Sequence, residues 1–442
     1  MCPVPPASVD RPRDAAVRPR GATFAGNLVP RRLVDRTRSK SGVPAVRAEA
    51  GRNTRVQPGG RLVSIDFWRG FALLTIFVNH VPGHFLSPYT FRNFGFSDAA
   101  ELFVLLAGIS AAFAYLRPAA GGDLLGTTMR VMLRAFHLYV AHLALVVVAV
   151  VVVGGFVVLT ADSRMLELFH LDLVNLFPLE SLVGIGLLSF QPAYLNILPL
   201  YVALLVLCPL LLLLARTSIA LALGVSTALY LATQLAGLEL PVWPGTGRWY
   251  FNPFAWQLLF TCGLAIGAVL DRGARPAPSR VLDIVAPAYL VVAMAWAMMG
   301  FPVALDLSPL PAFLWDFDKT NLALPRLLHV LALAYCVSRL PVERWLKARP
   351  GLCEPVGLLG RQALPVFCVG TVLSLAAQVT RPGFDGAFLY DLLIVGVGVF
   401  VQWLVAWTLE WHRRGLRTGT RPAAAPASAP ASVQTTVAGP AG

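Results

Sequence analysis

The chain has 442 residues, 57% of them hydrophobic and only 13% charged, with a formal net charge of +13. A soluble protein carries close to a quarter of its residues as Asp, Glu, Lys or Arg, so this composition excludes a soluble enzyme or binding module. Apolar runs near 20 residues match the hydrocarbon thickness of a bilayer, and the fold class is all-α, a polytopic integral membrane protein.

Residues 1–60 hold eleven Arg and one Lys against Asp10, Asp14, Asp35 and Glu49. The segment lacks the apolar stretch of a cleavable signal peptide and the interleaved aromatics of a nucleic-acid arm. It is predicted to be a disordered basic cytoplasmic extension drawn to anionic lipid, and no nucleic-acid partner is expected. About ten transmembrane helices follow, over residues 64–82, 98–116, 131–158, 195–215, 218–236, 254–271, 281–300, 323–341, 361–380 and 387–411. The loops alternate in charge as the positive-inside rule requires. Arg117 and Arg130, then Arg216, Arg272 and Arg280, Arg344, Lys347 and Arg349, and Arg413 and Arg414 fall on one side. Asp162, Glu167, Asp172 and Glu180, then Glu239, then Asp316 and Asp318 fall on the other. Both termini are therefore expected in the cytoplasm. The stretch from Leu179 to Phe190 is too short to span and reads as an interfacial or re-entrant piece. Residues 61–411 form the membrane domain, and the Ala/Pro/Ser-rich residues 412–442 are predicted to be a disordered cytoplasmic tail.

The first helix carries Asp66, Arg69 and His80 within an arc of about 60° at 100° per residue. A lipid-facing helix does not carry an acid, a guanidinium and an imidazole on one stripe, since each costs at least ~2.5–3.5 kcal/mol to bury. Asp66 and Arg69 are also spaced for an ordinary i,i+3 ion pair, and His80 for a helix-end histidine. On the second helix Ser97 is the expected N-cap and Asp98 favours the first turn. Glu101 is harder to explain there, because one turn further on the helix enters the membrane. Glu101 facing His80, to orient it, makes a plausible acid–base unit.

Further polar residues fall toward the outer side: Arg92 and Asn93, Asn252 among aromatics, Lys319 and Asn321, and Arg326 with His329 one turn on. The aromatics beside Asn252 suit a membrane-interface belt, and Lys319 and Asn321 suit a solvated loop, as well as they suit sugar binding. Arg130, Arg134 and His137 enter the third helix as a basic stripe that fits lipid headgroups. The six cysteines show no metal-ligand spacing, so no metal is expected.

Arg69 and His80 form an Arg-x10-His motif. Together with Ile65-Asp66-Phe67-Trp68-Arg69-Gly70, Arg92-Asn93-Phe94-Gly95-Phe96-Ser97-Asp98-Ala99-Ala100-Glu101 and Asp318-Lys319-Thr320-Asn321, it resembles the OpgC family. These are inner-membrane proteins named for succinylation of osmoregulated periplasmic glucans, within a wider set of membrane acyltransferases. Asn252-Pro253-Phe254-Ala255-Trp256-Gln257 and Gly360-Arg361-Gln362-Ala363-Leu364-Pro365-Val366-Phe367 extend the likeness. Ala107 departs from the wider set, where a serine is usual. The resemblance implies O-acyl transfer from cytoplasmic acyl-CoA, with succinyl-CoA as the donor, to hydroxyls of a periplasmic glucan at a bacterial inner membrane. The bilayer, the glucan and the proteins that synthesise it are the implied partners. His80 is the implied base, oriented by Glu101, with Arg69 and Asp66 holding the donor or stabilising the developing oxyanion. Arg92, Asn93, Asp98, Asn252, Lys319, Asn321, Arg326 and His329 are the implied substrate-binding residues. An acetyltransferase for another surface polysaccharide and a proton-coupled transporter are the alternatives. The second lacks the internal repeat such transporters carry.

Overall fold

The computed structural model describes residues 62–419, apart from Pro82 and residues 275–277, 301–306 and 382–387, together with Gly442. The predicted basic extension and residues 420–441 of the predicted tail lie outside these residues. Eleven helices organise the described chain. They are α1 Val63–His80, α2 Ala99–Ala111, α3 Leu124–Thr160, α4 Ile197–Thr217, α5 Ile219–Ala236, α6 Pro253–Asp271, α7 Arg280–Met298, α8 Leu324–Arg339, α9 Pro350–Arg361, α10 Ala363–Thr380 and α11 Phe388–Gly419. Each of the ten predicted helices has a counterpart. Among the described residues eight helices are long and apolar enough to cross a bilayer, which makes this a multi-pass membrane protein. The other two predicted spans fall short for different reasons. In α1 the polar residues Asp66, Arg69, Asn79 and His80 dilute its 18 residues, and α8 has only 16.

Two boundaries and one helix differ from expectation. Helix α3 begins at Leu124 because Asp123 caps it, accepting from the Gly126 N–H at 3.0 Å. Helix α11 runs on to Gly419, where a disordered tail was expected from 412, with Glu410 and Arg414 paired one turn apart at 3.3 Å. Helix α9 was not predicted, since its Gly and Pro residues mask an amphipathic face that buries Gly357, Leu358, Leu359 and Gly360. Between α3 and α4 the chain forms three short helices, Arg164–Leu168, Asp172–Leu176 and Pro178–Gly186, and the stretch expected not to span, Leu179 to Phe190, overlaps the third. The longest has nine residues, about 13 Å at 1.5 Å each, well below the bilayer's ~30 Å.

Helix α1 packs along α9 and α10 and against α2, while α2 crosses α6. Both close crossings are built on glycine. A Cβ on Gly70 would overlap the Val356 carbonyl, and one on Gly108 would overlap the Phe260 carbonyl opposite Gly263. Past that crossing α2 widens into a π turn, Ala112–Leu116, before a last turn Arg117–Ala120. Gly108→Ala is expected to force α2 and α6 apart and to lower stability by about 1–3 kcal/mol, the usual cost of overpacking. Thermal unfolding of the detergent-solubilised protein measures it, and a melting point equal to the unsubstituted protein's would contradict the crossing.

Candidate active site

The N-terminus of α2 fixes the densest cluster of charge. Asp98 is its N-cap, its Oδ1 accepting from the Ala100 N–H at 2.8 Å. Glu101 closes the capping box by accepting from the Asp98 N–H at 2.9 Å. So Asp98, not Ser97, is the cap, and the Ser97 hydroxyl instead meets His329 Nδ1 at 2.7 Å. Glu101 is fully buried, and Arg326 from α8 donates to its Oε1 at 2.7 Å. Arg326 also reaches Asp98 Oδ2 at 3.5 Å, and Lys319 donates to the same oxygen. Two carboxylates and two cations thus neutralise one another, which is how such groups survive burial. Burial disfavours the Lys319 ammonium, yet the Asp98 carboxylate against it raises its pKa above the ordinary lysine range.

The expected Glu101–His80 unit does not form. Glu101 is committed to Arg326 and the Asp98 N–H, and His80 is oriented from its own helix. His80 Nδ1 lies 2.6 Å from the Ile76 carbonyl oxygen. A carbonyl only accepts, so Nδ1 carries the proton in the neutral ring and Nε2 is left with its lone pair. Tyr194 packs edge-on against the ring at 5.4 Å, and Gln378 from α10 donates to the His80 carbonyl at 2.8 Å. The end of α1 is held from both sides.

A cavity of about 940 Å³ opens beside this ring. His80, Asn79, Arg92, Asp98 and Lys319 line it, together with Asp172, Arg248 and Tyr250 from the segments between α3 and α4 and between α5 and α6. The structure therefore brings four of the expected residues, His80, Arg92, Asp98 and Lys319, into one space, with Glu101 and Arg326 supporting it from behind. A volume near the upper end for ligand sites, with a few polar groups among apolar walls, suits a sizeable organic substrate.

The remaining candidates sit elsewhere, and each has a structural task. Arg69 lies toward the other end of α1, where it donates to the Ser110 hydroxyl and to the Gly360 carbonyl at 3.3 Å, with Asp66 at 3.8 Å. It ties α1 to α2 and α9 and does not line the cavity. Ser110, three residues past the position where the wider set has serine and this chain has Ala107, supplies the hydroxyl. Asn252 caps α6 by accepting from the Phe254 N–H at 3.1 Å, and it donates to Leu238 O at 2.6 Å and Asn321 Oδ1 at 2.9 Å. Asn321 in turn accepts from Gln234 through its carbonyl at 2.6 Å. Asn93 folds its own loop, donating to Ser87 O at 2.7 Å. His329 is buried between Phe96 and Tyr289, and Gly95 leaves it room. Asp172 and Tyr194 were missed, because a short loop helix and a lone tyrosine give no periodic signal. Among the described residues no group of three or more His, Cys, Asp or Glu is placed to hold a metal.

Residues 61–414, most of the chain, match the family model described as OpgC protein. No curated protein and no solved structure matches the chain.

Proposed function

We propose that this chain, which belongs to the OpgC family, transfers a succinyl group from acyl-CoA to a hydroxyl of a periplasmic glucan. The observation that supports this most is His80, with its Nδ1–H turned back to Ile76 O and its ring on the wall of a large cavity. In this reaction the sugar hydroxyl oxygen attacks the thioester carbonyl carbon while its proton passes to His80 Nε2. The oxyanion of the tetrahedral intermediate lies near the Lys319 ammonium, the cation that the Asp98 cap holds in the cavity. The intermediate collapses by expelling the CoA thiolate, which takes the proton back from the imidazolium. Arg69, with Asp66, acts as a positioning residue. Its bonds to Ser110 and Gly360 fix α1, and the helical rise from Arg69 to His80, about 16 Å, then sets the depth of the base.

The charge alternation of the loops supports a cytoplasmic N-terminus, which puts His80 at the outer end of α1 in the inner membrane. Donor and acceptor then approach from opposite sides. Asp172 and Tyr250, facing the cavity from the outer loops, suit a sugar ring through hydroxyl bonding and stacking. Mass spectrometry of periplasmic glucans from a deletion strain tests the proposal. Succinylated glucans are expected to disappear and to return with the unsubstituted gene on a plasmid. Loss of acetyl groups from a different polysaccharide, or an unaltered glycan profile, would overturn it.

A further inference from the structure

We propose that Arg92 selects the acyl group, holding the free carboxylate at its far end and so favouring dicarboxylic donors over simple ones. The inference rests on acyl transfer at His80 and adds a residue that distinguishes one donor from another.

Five formally charged side chains line the cavity: Arg92, Asp98, Asp172, Arg248 and Lys319. Lys319 is committed to Asp98, and Arg248 to Glu239 at 2.5 Å. Arg92 is different. Its guanidinium donates to the neutral Ser87 hydroxyl at 3.1 Å and forms no ion pair among the described residues. Among the described residues it is the cavity cation without a carboxylate, and it lines the same space as the His80 ring. The loop beneath it is fixed. Arg92 sits in the 3-10 turn Phe91–Asn93, and Asn93 donates to Ser87 O at 2.7 Å and to the Thr90 hydroxyl at 3.2 Å. A planar fork on a fixed turn meets a carboxylate through two parallel hydrogen bonds, which a neutral acyl end cannot accept.

Direction of approach assigns the ligand. With the thioester carbon at His80 and CoA toward the cytoplasm, the acyl carbons extend outward, toward the segment that carries Arg92. A four-carbon dicarboxylic acyl group ends there in an anion, whereas an acetyl group ends at its methyl. Asp172, the other charge without an ion pair among the described residues, stands on the outer-loop wall and would repel that anion. A carboxylate there suits sugar hydroxyls, so the two unpaired charges divide between donor and acceptor.

The test compares succinyl-CoA with acetyl-CoA on the full-length protein in proteoliposomes, with a glucan oligosaccharide as acceptor. In Arg92→Gln the ratio of the two kcat/KM values, succinyl over acetyl, is expected to fall roughly ten- to hundredfold, the size of a lost charge-assisted contact. Most of the change should lie in the KM for succinyl-CoA. Arg92→Lys keeps the charge without the fork and should fall less. An equal decline for both donors, or an unmoved ratio, would overturn the selection role. An unsubstituted protein that uses only acetyl-CoA would overturn it together with the succinyl donor, while leaving acyl transfer at His80 standing. One that uses neither donor would overturn the proposed function as well.

Discussion

His80→Ala is expected to lower glucan substitution by roughly two to four orders of magnitude, the usual cost of removing a general base. The size of the effect follows from how the ring is held. Nδ1 spends its proton on the Ile76 carbonyl at 2.6 Å, so the nitrogen with the free lone pair is fixed. No second imidazole on α1 is placed to substitute for it. The fold should tolerate the change, because the bond from Gln378 goes to the His80 backbone carbonyl and survives removal of the ring. Glycan substitution at matched membrane expression is the measurement. Activity within a few-fold of the unsubstituted protein would end the assignment of His80 as base and move attention to Asp98.

The second large effect is on stability. Glu101→Ala leaves the Arg326 guanidinium, whose side chain is only 12% exposed, without its principal carboxylate. Removing one member of a buried pair costs about 3–5 kcal/mol, because the surviving charge stays buried. It also opens the capping box, so Asp98 loses the contact that orders its backbone N–H. Folded yield and melting temperature in detergent should both drop, and activity with them. Glu101→Gln keeps the shape and a carbonyl oxygen for the cap, and should lose less. A Glu101→Ala protein that melts with the unsubstituted one would show that Arg326 finds enough compensation in Asp98 alone.

The long apolar helices were legible from sequence because burial in lipid imposes a length and a composition on each of them separately. The polar residues of α1 and α2 were legible for the same reason, as costs that a lipid-facing helix does not accept. Their partners were not. Glu101 and Arg326 are separated by 225 residues, and no local period relates them, so the nearer His80 looked like the natural mate. Asn252 and Asn321 show the converse error. Both stand in motifs that suggest sugar binding, yet their amides are spent on a helix cap, on the backbone and on each other. The same side chain serves a cap or a ligand equally well, and only the fold decides which. Helix α9 escaped because its close approach to α1 uses Gly360 rather than a run of apolar side chains.

The distance along the chain between Glu101 and Arg326 also has a meaning in time. At synthesis rates of about 5–20 residues per second, the 225 residues between them take roughly 11–45 s to make. Helix α2 therefore leaves the ribosome well before the cations that neutralise its N-terminal carboxylates exist. A carboxyl group can wait in an apolar setting by taking up a proton, an option that arginine does not have. Placing these two acids early and Arg326 late lets the N-terminus of α2 insert without a buried unpaired charge. Arrival of α8 then draws those protons off and locks the two halves together.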